Sequence, residues 1–139
     1  MRQAADILRI ESRSRGLVEI TREVTGWTLR QKLQTGLLTL FCMHTSASLT
    51  IQENASPAAR MDLEAYFDAI APEDPGRYGH HEEGPDDMPA HIRAALTGVH
   101  LSIPVISGAL ALGRWQGVHL FEHRRRPHVR EIAMHLLGE

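Results

Sequence analysis

The chain is short of several things whose absence narrows its class. A single cysteine, Cys42, in 139 residues excludes an intrachain disulfide and fits a reducing compartment. Its place in an apolar run points to core packing rather than a reactive thiol. No apolar run approaches the roughly 20 residues needed to cross a bilayer. The amino-terminal Met1 to Asp6 lacks the apolar block of a signal peptide, so a soluble, cytoplasmic protein is expected. Charge of one sign is also scarce: a net charge of -2 gives no argument for a nucleic-acid partner or an anionic membrane. Missing too are a Gly-rich phosphate cradle of the P-loop type, an Asp-rich magnesium motif and a compact zinc signature with paired histidines one helical turn apart.

What remains is an ordinary globular composition, 42% hydrophobic and 23% charged, in a chain of single-domain length. There is no internal repeat, linker or low-complexity segment, so residues 1–139 read as one domain. Nine histidines is a high count, and they fall mostly in the second half, a hint of metal or proton chemistry.

The stretch from Leu37 to Asn54 organises the rest. It begins as a buried-strand sequence and becomes a series of hydroxyls after His44, ending in Glu53 and Asn54. Read as one regular strand, it places Leu38, Leu40, Cys42, His44, Ser46 and Ser48 on one face. Before it, Asp6–Glu11 and Leu17–Ile20 read as strands, and Thr21 as the cap of a helix reaching about Leu33 with Val24, Trp27 and Gln31 on one side. After it, Ser56-Pro57 starts a helix to Ile70. Residues 71–86 form a long loop, of the kind that is usually functional or disordered. Asp87 is expected to cap a helix from Met88 to Thr97. Strands follow at Leu101–Val105, Ala109–Leu112 and Gly117–His123. In the last strand, Val129–Leu137, residues Ile132, Met134 and Leu136 line one face and Arg130 marks a wet end. Strands outnumber helices and mostly follow one another. The expected fold is therefore α+β, mainly antiparallel sheets with two or three short helices.

Four groups could carry chemistry. In the first, His44, Thr45, Ser46 and Ser48, with Glu53 and Asn54 downstream, could hold phosphate oxygens or a metal. The second is Asp62, which helical spacing sets beside Tyr66 and Ala69; a plain surface aspartate is the alternative. The third, His80 to His91, supplies three histidines and four carboxylates, and a helix start within it favours anions. The fourth is Trp115-Gln116-Gly117 with Glu122-His123-Arg124. Strand parity sends His119, Phe121 and His123 to one face and Val118, Leu120 and Glu122 to the other, and a buried Glu122 needs a partner. Arg124 could hold a phosphate.

These pieces together resemble the YjbQ family, often labelled secondary thiamine-phosphate synthases. The matching segments are HTSASLTIQEN at 44–54, Pro57–Asp62, Gly84–Ile92, Gly113–Gly117, Glu122–Arg124 and Gly138-Glu139, in family order over nearly the whole chain. One departure is His80-His81, where the family pattern has a histidine followed by an aspartate, so either histidine is a ligand candidate. The resemblance implies sheets packed as a sandwich, a homotrimer with pockets near subunit contacts, and a metal or anion site.

The activity the resemblance implies joins a pyrimidine pyrophosphate to a thiazole phosphate and releases pyrophosphate, as a weak or secondary reaction. For such a transferase Thr45, Ser46 and Ser48 would bind phosphate oxygens and Arg124 would clamp them, with Asn54, Trp115 and Gln116 also at the substrate. Asp62, Glu53 or Asp87 would hold Mg²⁺, and His44 or His91 would manage protons. The histidine count favours a second reading, a metal-dependent hydrolase of a small phosphorylated metabolite. There His44, His80, His91 and His123 are the candidate ligands of a transition metal such as Zn²⁺, and Glu122 or Asp62 activates water. A third reading is a non-catalytic trimeric protein that binds such a metabolite.

Overall fold

The computed structural model describes residues 1–139 and contains eight strands and three α-helices. The strands are β1 (Arg2–Ser12), β2 (Gly16–Glu19), β3 (Gly36–Cys42), β4 (Ala47–Glu53), β5 (His100–Ile106), β6 (Ala109–Leu110), β7 (Gln116–Glu122) and β8 (His128–Gly138). The helices are α1 (Thr21–Arg30), α2 (Pro57–Ile70) and α3 (Asp87–Thr97). Every strand pair is antiparallel. One sheet runs β1-β8-β3-β5-β6 and the other β2-β7-β4. No helix is long and apolar enough to cross a membrane.

The two sheets face each other across one core. Leu38, Leu40 and Cys42 of β3 and Ile132, Met134 and Leu136 of β8 meet Leu49 of β4 and Val118 and Leu120 of β7, and Val24 and Trp27 of α1 pack on the same core. Alternation explains the five-stranded sheet: Leu38 and Leu40 are buried while Leu37 and Phe41 are exposed. The three-stranded sheet is covered on its second face as well, where Leu17 and Phe121 pack against Phe67 of α2. That double cover is why β7 is buried from Gly117 onward with no polar alternation. Cys42 is a core residue, 1% exposed, and burial pushes its thiol above the ordinary range.

The stretch expected to be one central strand is two. β3 belongs to the larger sheet and β4 to the smaller, and residues 43–46 cross between them. Side chains make the crossing. His44 Nε2 accepts from the Glu131 amide at 2.7 Å, continuing the β3–β8 ladder through an imidazole, and Arg130 Nη2 donates to the Ser46 carbonyl at 3.2 Å. His44 and Ser46 therefore do not continue the face of Leu38, Leu40 and Cys42.

Three smaller expectations change for similar reasons. Thr21 does not cap α1; its hydroxyl donates to Glu19 at 2.8 Å and accepts from the Val118 amide at 2.9 Å, tying the helix start to β7. Asp87 is the first residue of α3 rather than its cap, because its carboxylate is turned to arginine and histidine partners described below. Arg130 is not at a wet end. It shares the parity of Ile132, Met134 and Leu136 and is 3% exposed. The start of α2 is as read: the Ser56 hydroxyl accepts from the Ala59 amide at 3.2 Å, with Pro57 at the first helical position.

Candidate functional site

Antiparallel pairing sets Ala47 opposite Glu122 and Glu53 opposite Gln116, so the start of β4 and the end of β7 share one end of the small sheet. The residues just beyond that end gather around α3. Arg124 follows β7 and is 7% exposed. It donates from Nε to Asp86 Oδ2 at 3.1 Å, from Nη1 to Asp87 Oδ1 at 2.8 Å and from Nη2 to the Glu83 carbonyl at 2.9 Å. The Arg125 amide donates to Asp86 Oδ2 at 2.9 Å. One planar guanidinium thus holds the helix start against the end of β7.

The second oxygen of Asp87 is where the histidines meet. His80 Nε2 lies 2.8 Å and His91 Nε2 3.1 Å from Asp87 Oδ2, and potential ligand atoms of the three residues all lie within 4.8 Å of one another. His91 sits one turn after Asp87 on α3, so helical spacing delivers it. Its Nδ1 is 3.0 Å from the Thr45 carbonyl, which only accepts, so Nδ1 carries the proton. Nε2 then points a lone pair at a carboxylate oxygen. Two such lone pairs repel unless a cation lies between them, either a proton or a metal ion. His80 repeats the arrangement, with Glu82 Oε2 3.3 Å from Nδ1 and Asp87 on the other side.

The donor set fits a metal. Ligand atoms roughly 2.1 Å from one tetrahedral ion lie about 3.4 Å from each other, a few tenths of an ångström beyond the two histidine–carboxylate separations of 2.8 and 3.1 Å. The Nδ1–carbonyl bond of His91 is the orienting contact that metal-bound imidazoles make. Asp87 is 2% exposed, whereas His80 and His91 keep 43% and 31% of their side-chain surface, so the cluster opens to solvent on the histidine side. Burial alone would raise the Asp87 carboxyl; the His80 bond and the charges of His91 and Arg124 outweigh it and hold the group below the ordinary carboxylate range.

A second network lies behind the first. Glu122, wholly buried, accepts from Ser12 Oγ at 2.5 Å, Arg130 Nε at 2.8 Å and Nη2 at 2.5 Å, and the amides of His123 at 3.0 Å and Arg124 at 3.1 Å. Burial works to raise its pKa, and these donors overcome it to leave Glu122 ionised. With five donors on two oxygens it joins β1, β7 and β8 rather than facing the histidine cluster. Arg130 also donates to Ser46 Oγ at 3.0 Å. His44 is held between the Glu131 amide and Arg130 Nη1 at 3.4 Å, and burial followed by the Arg130 charge pushes its pKa down.

The remaining expected residues divide between inside and outside. Ser48 Oγ, buried, is 2.8 Å from His123 Nε2 and accepts from Thr97 Oγ1 at 2.5 Å. Burial and then the charge of Arg93 depress His123 to about 3, so the ring is neutral. Thr45 is exposed beside the cluster; Ser46 and Ser48 are engaged within the chain. Asp62 is exposed on α2. Asn54, Trp115 and Gln116 are not brought to this place. They lie at the opposite end of the small sheet, about 20 Å away for a seven-residue strand, where Gln116 Oε1 accepts from the Gly113 amide at 2.7 Å. Glu53 is there too, accepting from the Ser56 amide at 2.7 Å.

Sequence reasoning misses Ser12, Thr97 and Arg130. Only Arg130 leaves a signal, its parity with the buried face of β8. His81 is exposed and His80 is the one in the cluster.

Comparison with known proteins agrees with the fold. The profile of the family described as UPF0047 protein YjbQ-like matches residues 6–139. UPF0047 protein sll1880 of Synechocystis sp. is 49% identical, covering 99% of this chain and 94% of the relative. UPF0047 protein YjbQ of Salmonella typhimurium is 44% identical over 95% of this chain and 96% of its own. Among solved structures, the conserved hypothetical protein TT1486 of Thermus thermophilus superposes with a TM-score of 0.83 at 39% identity, covering 95% of this chain and 99% of that one.

Proposed function

The chain belongs to the UPF0047 YjbQ-like family, and on that scaffold we propose that it is a metal-dependent hydrolase of a small phosphorylated metabolite. The observation that carries this reading is the meeting of His80 Nε2 and His91 Nε2 on one buried carboxylate oxygen, with the histidine side open to solvent. Two imidazoles and a carboxylate suit zinc or another transition metal better than Mg²⁺, which prefers oxygen ligands. When bound, such an ion would supply a hydroxide at neutral pH and polarise a phosphoryl oxygen.

The residues of the chain then have distinct tasks. Asp87, His80 and His91 would hold the ion. Arg124 keeps Asp87 ionised and aimed, and the Thr45 carbonyl fixes the His91 tautomer. The exposed Thr45 hydroxyl beside the cluster would receive a phosphate oxygen, whereas the Arg125 guanidinium is turned away to Glu73. Glu122 and Arg130 hold the ends of β1, β7 and β8 behind them. The protein would act as a homotrimer. The solvent face of the larger sheet, with exposed Leu37, Phe41 and Leu137, supports self-association.

The basic run Arg124-Arg125-Arg126, with Arg126 exposed, also suits a pyrophosphate and supports a second reading: displacement of pyrophosphate from a pyrimidine by a thiazole phosphate, in the manner of thiamine-phosphate synthases. One assay separates the two. Zinc-loaded protein is incubated with a panel of phosphate esters, and separately with the pyrimidine and thiazole substrates. Phosphate release that is lost with a chelator and in His91→Ala supports the hydrolase. Thiamine phosphate formed without ester hydrolysis supports the transferase, and neither product counts against both.

A further inference from the structure

A second cavity, of about 140 Å³, lies among the small sheet, α2 and α3, lined by Arg15, Gly16, Glu64, Asp68, Arg93 and Phe121 and by none of the clustered histidines. Its floor is a fixed cation. The Arg93 side chain is 3% exposed, its Nη2 donates to Asp68 Oδ1 at 3.1 Å and to the Ala71 carbonyl at 3.0 Å, and its buried Nε has no hydrogen-bond partner. Arg15 reaches the same Asp68 oxygen at 3.0 Å. Two guanidiniums thus share one carboxylate oxygen, and that carboxylate is open to solvent in a way Arg93 is not: the Asp68 side chain is 54% exposed on α2.

A buried, partly unpaired guanidinium beside a cavity is costly unless an acceptor completes it. We propose that the Arg15–Arg93 pair is a receptor for the carboxylate of a short-chain organic acid, and that Asp68 is a built-in occupant which the acid displaces. The class follows from the lining. Asp68 demonstrates that a carboxylate fits between the two guanidiniums. Glu64 on the wall and Glu73, 3.0 Å from Arg15 Nη1, penalise a second negative charge, which disfavours a phosphate dianion. The Phe121 ring offers an apolar surface to a hydrocarbon tail, and the volume is below the range of pockets for drug-sized ligands. Gly16, at a φ of +135°, lets Glu64 approach so closely that a Cβ there would lie 2.8 Å from its Oε1. The wall is therefore tightly packed where the Asp68 side is open. Of α2, only Phe67 is buried.

The test is an NMR titration of the full chain with butyrate, following the side-chain Nε–H signal of Arg93, which is assigned by its loss in Arg93→Lys. Sodium phosphate and sodium chloride at matched ionic strength are the controls. The proposal expects a saturable shift with butyrate alone, and roughly ten-fold tighter binding in Asp68→Asn, where the competing charge is gone. His91→Ala should bind butyrate as the natural chain does, because His91, two residues before Arg93 on α3, does not line the cavity. No saturable shift in either the natural chain or Asp68→Asn would overturn the proposal. An equal or larger response to phosphate would overturn the assignment to carboxylates. A response confined to Asp68→Asn would show a cavity made by the substitution rather than a receptor.

Discussion

The two ends of the small sheet share the strands β4 and β7, with β2 added only at the Glu122 end, and differ in nearly every other respect. At the end formed by Ala47 and Glu122, charged side chains are buried and paired: Glu122 with Arg130, Asp86 and Asp87 with Arg124, His80 and His91 on Asp87. At the end formed by Glu53 and Gln116, the polar residues Asn54, Gln116 and Trp115 are exposed, and Arg114 stacks over the Trp115 ring at 4.8 Å. Residue types that look alike along the chain thus have very different energetics. A buried charge whose partner is removed has no water to replace it, whereas an exposed amide does.

The largest effect expected from that contrast is on Glu122→Gln. It leaves Arg130 buried without its counter-ion and should destabilise the protein by about 3–5 kcal/mol in denaturant unfolding. A loss under about 1 kcal/mol would mean that the paired end is no more critical than the exposed one. Next comes His80→Ala, which should weaken zinc binding by roughly 100-fold or more in a competition titration, since even orienting contacts around a metal contribute about 10- to 100-fold.

Acid should act on the buried end as well. The folded value of His123 is about 3, below the unfolded value of about 6.5. Between those limits the unfolded chain takes up a proton that the folded chain refuses. Stability is therefore fully present above about pH 6.5 and is lost as pH falls, by about 1.4 kcal/mol per unit from this residue alone. His44 and His119 are shifted in the same direction and steepen the loss. Urea midpoints from about pH 7 to pH 5 give the slope, and His123→Gln should flatten it. The smallest effect belongs to the far end: Asn54→Ala and Gln116→Ala should each change stability by less than about 0.5 kcal/mol and leave zinc affinity unaltered.

Much of this contrast is legible in the sequence, and the part that is not has a common cause. The apolar alternation of β3, the Ser56-Pro57 helix start and the inward parity of Glu122 are local patterns, and each is found where the chain spells it. Of residues 44–48 and 122–124, only the Thr45 carbonyl and the Arg124 guanidinium reach the acidic-histidine loop, while His44, Ser46, Ser48, Glu122 and His123 are engaged in networks behind it. Asn54, Trp115 and Gln116 belong to the same set of motifs, yet antiparallel pairing carries them to the opposite end of β4 and β7. The break at residues 43–46 is hidden in the sequence because hydroxyls and an imidazole continue an alternating pattern while their hydrogen bonds end it. Contacts between distant segments leave no local trace at all: Ser12 to Glu122 spans 110 positions and Thr97 to Ser48 spans 49.

The central claim is that the polar end of the small sheet holds one transition-metal ion between two imidazoles and a carboxylate. Crystals soaked in a zinc salt and measured at the zinc absorption edge test it directly. The account predicts a single strong anomalous peak per chain, bonded to His80 Nε2, His91 Nε2 and an Asp87 oxygen. A map with no peak there, or with the zinc seated on other side chains, would contradict it.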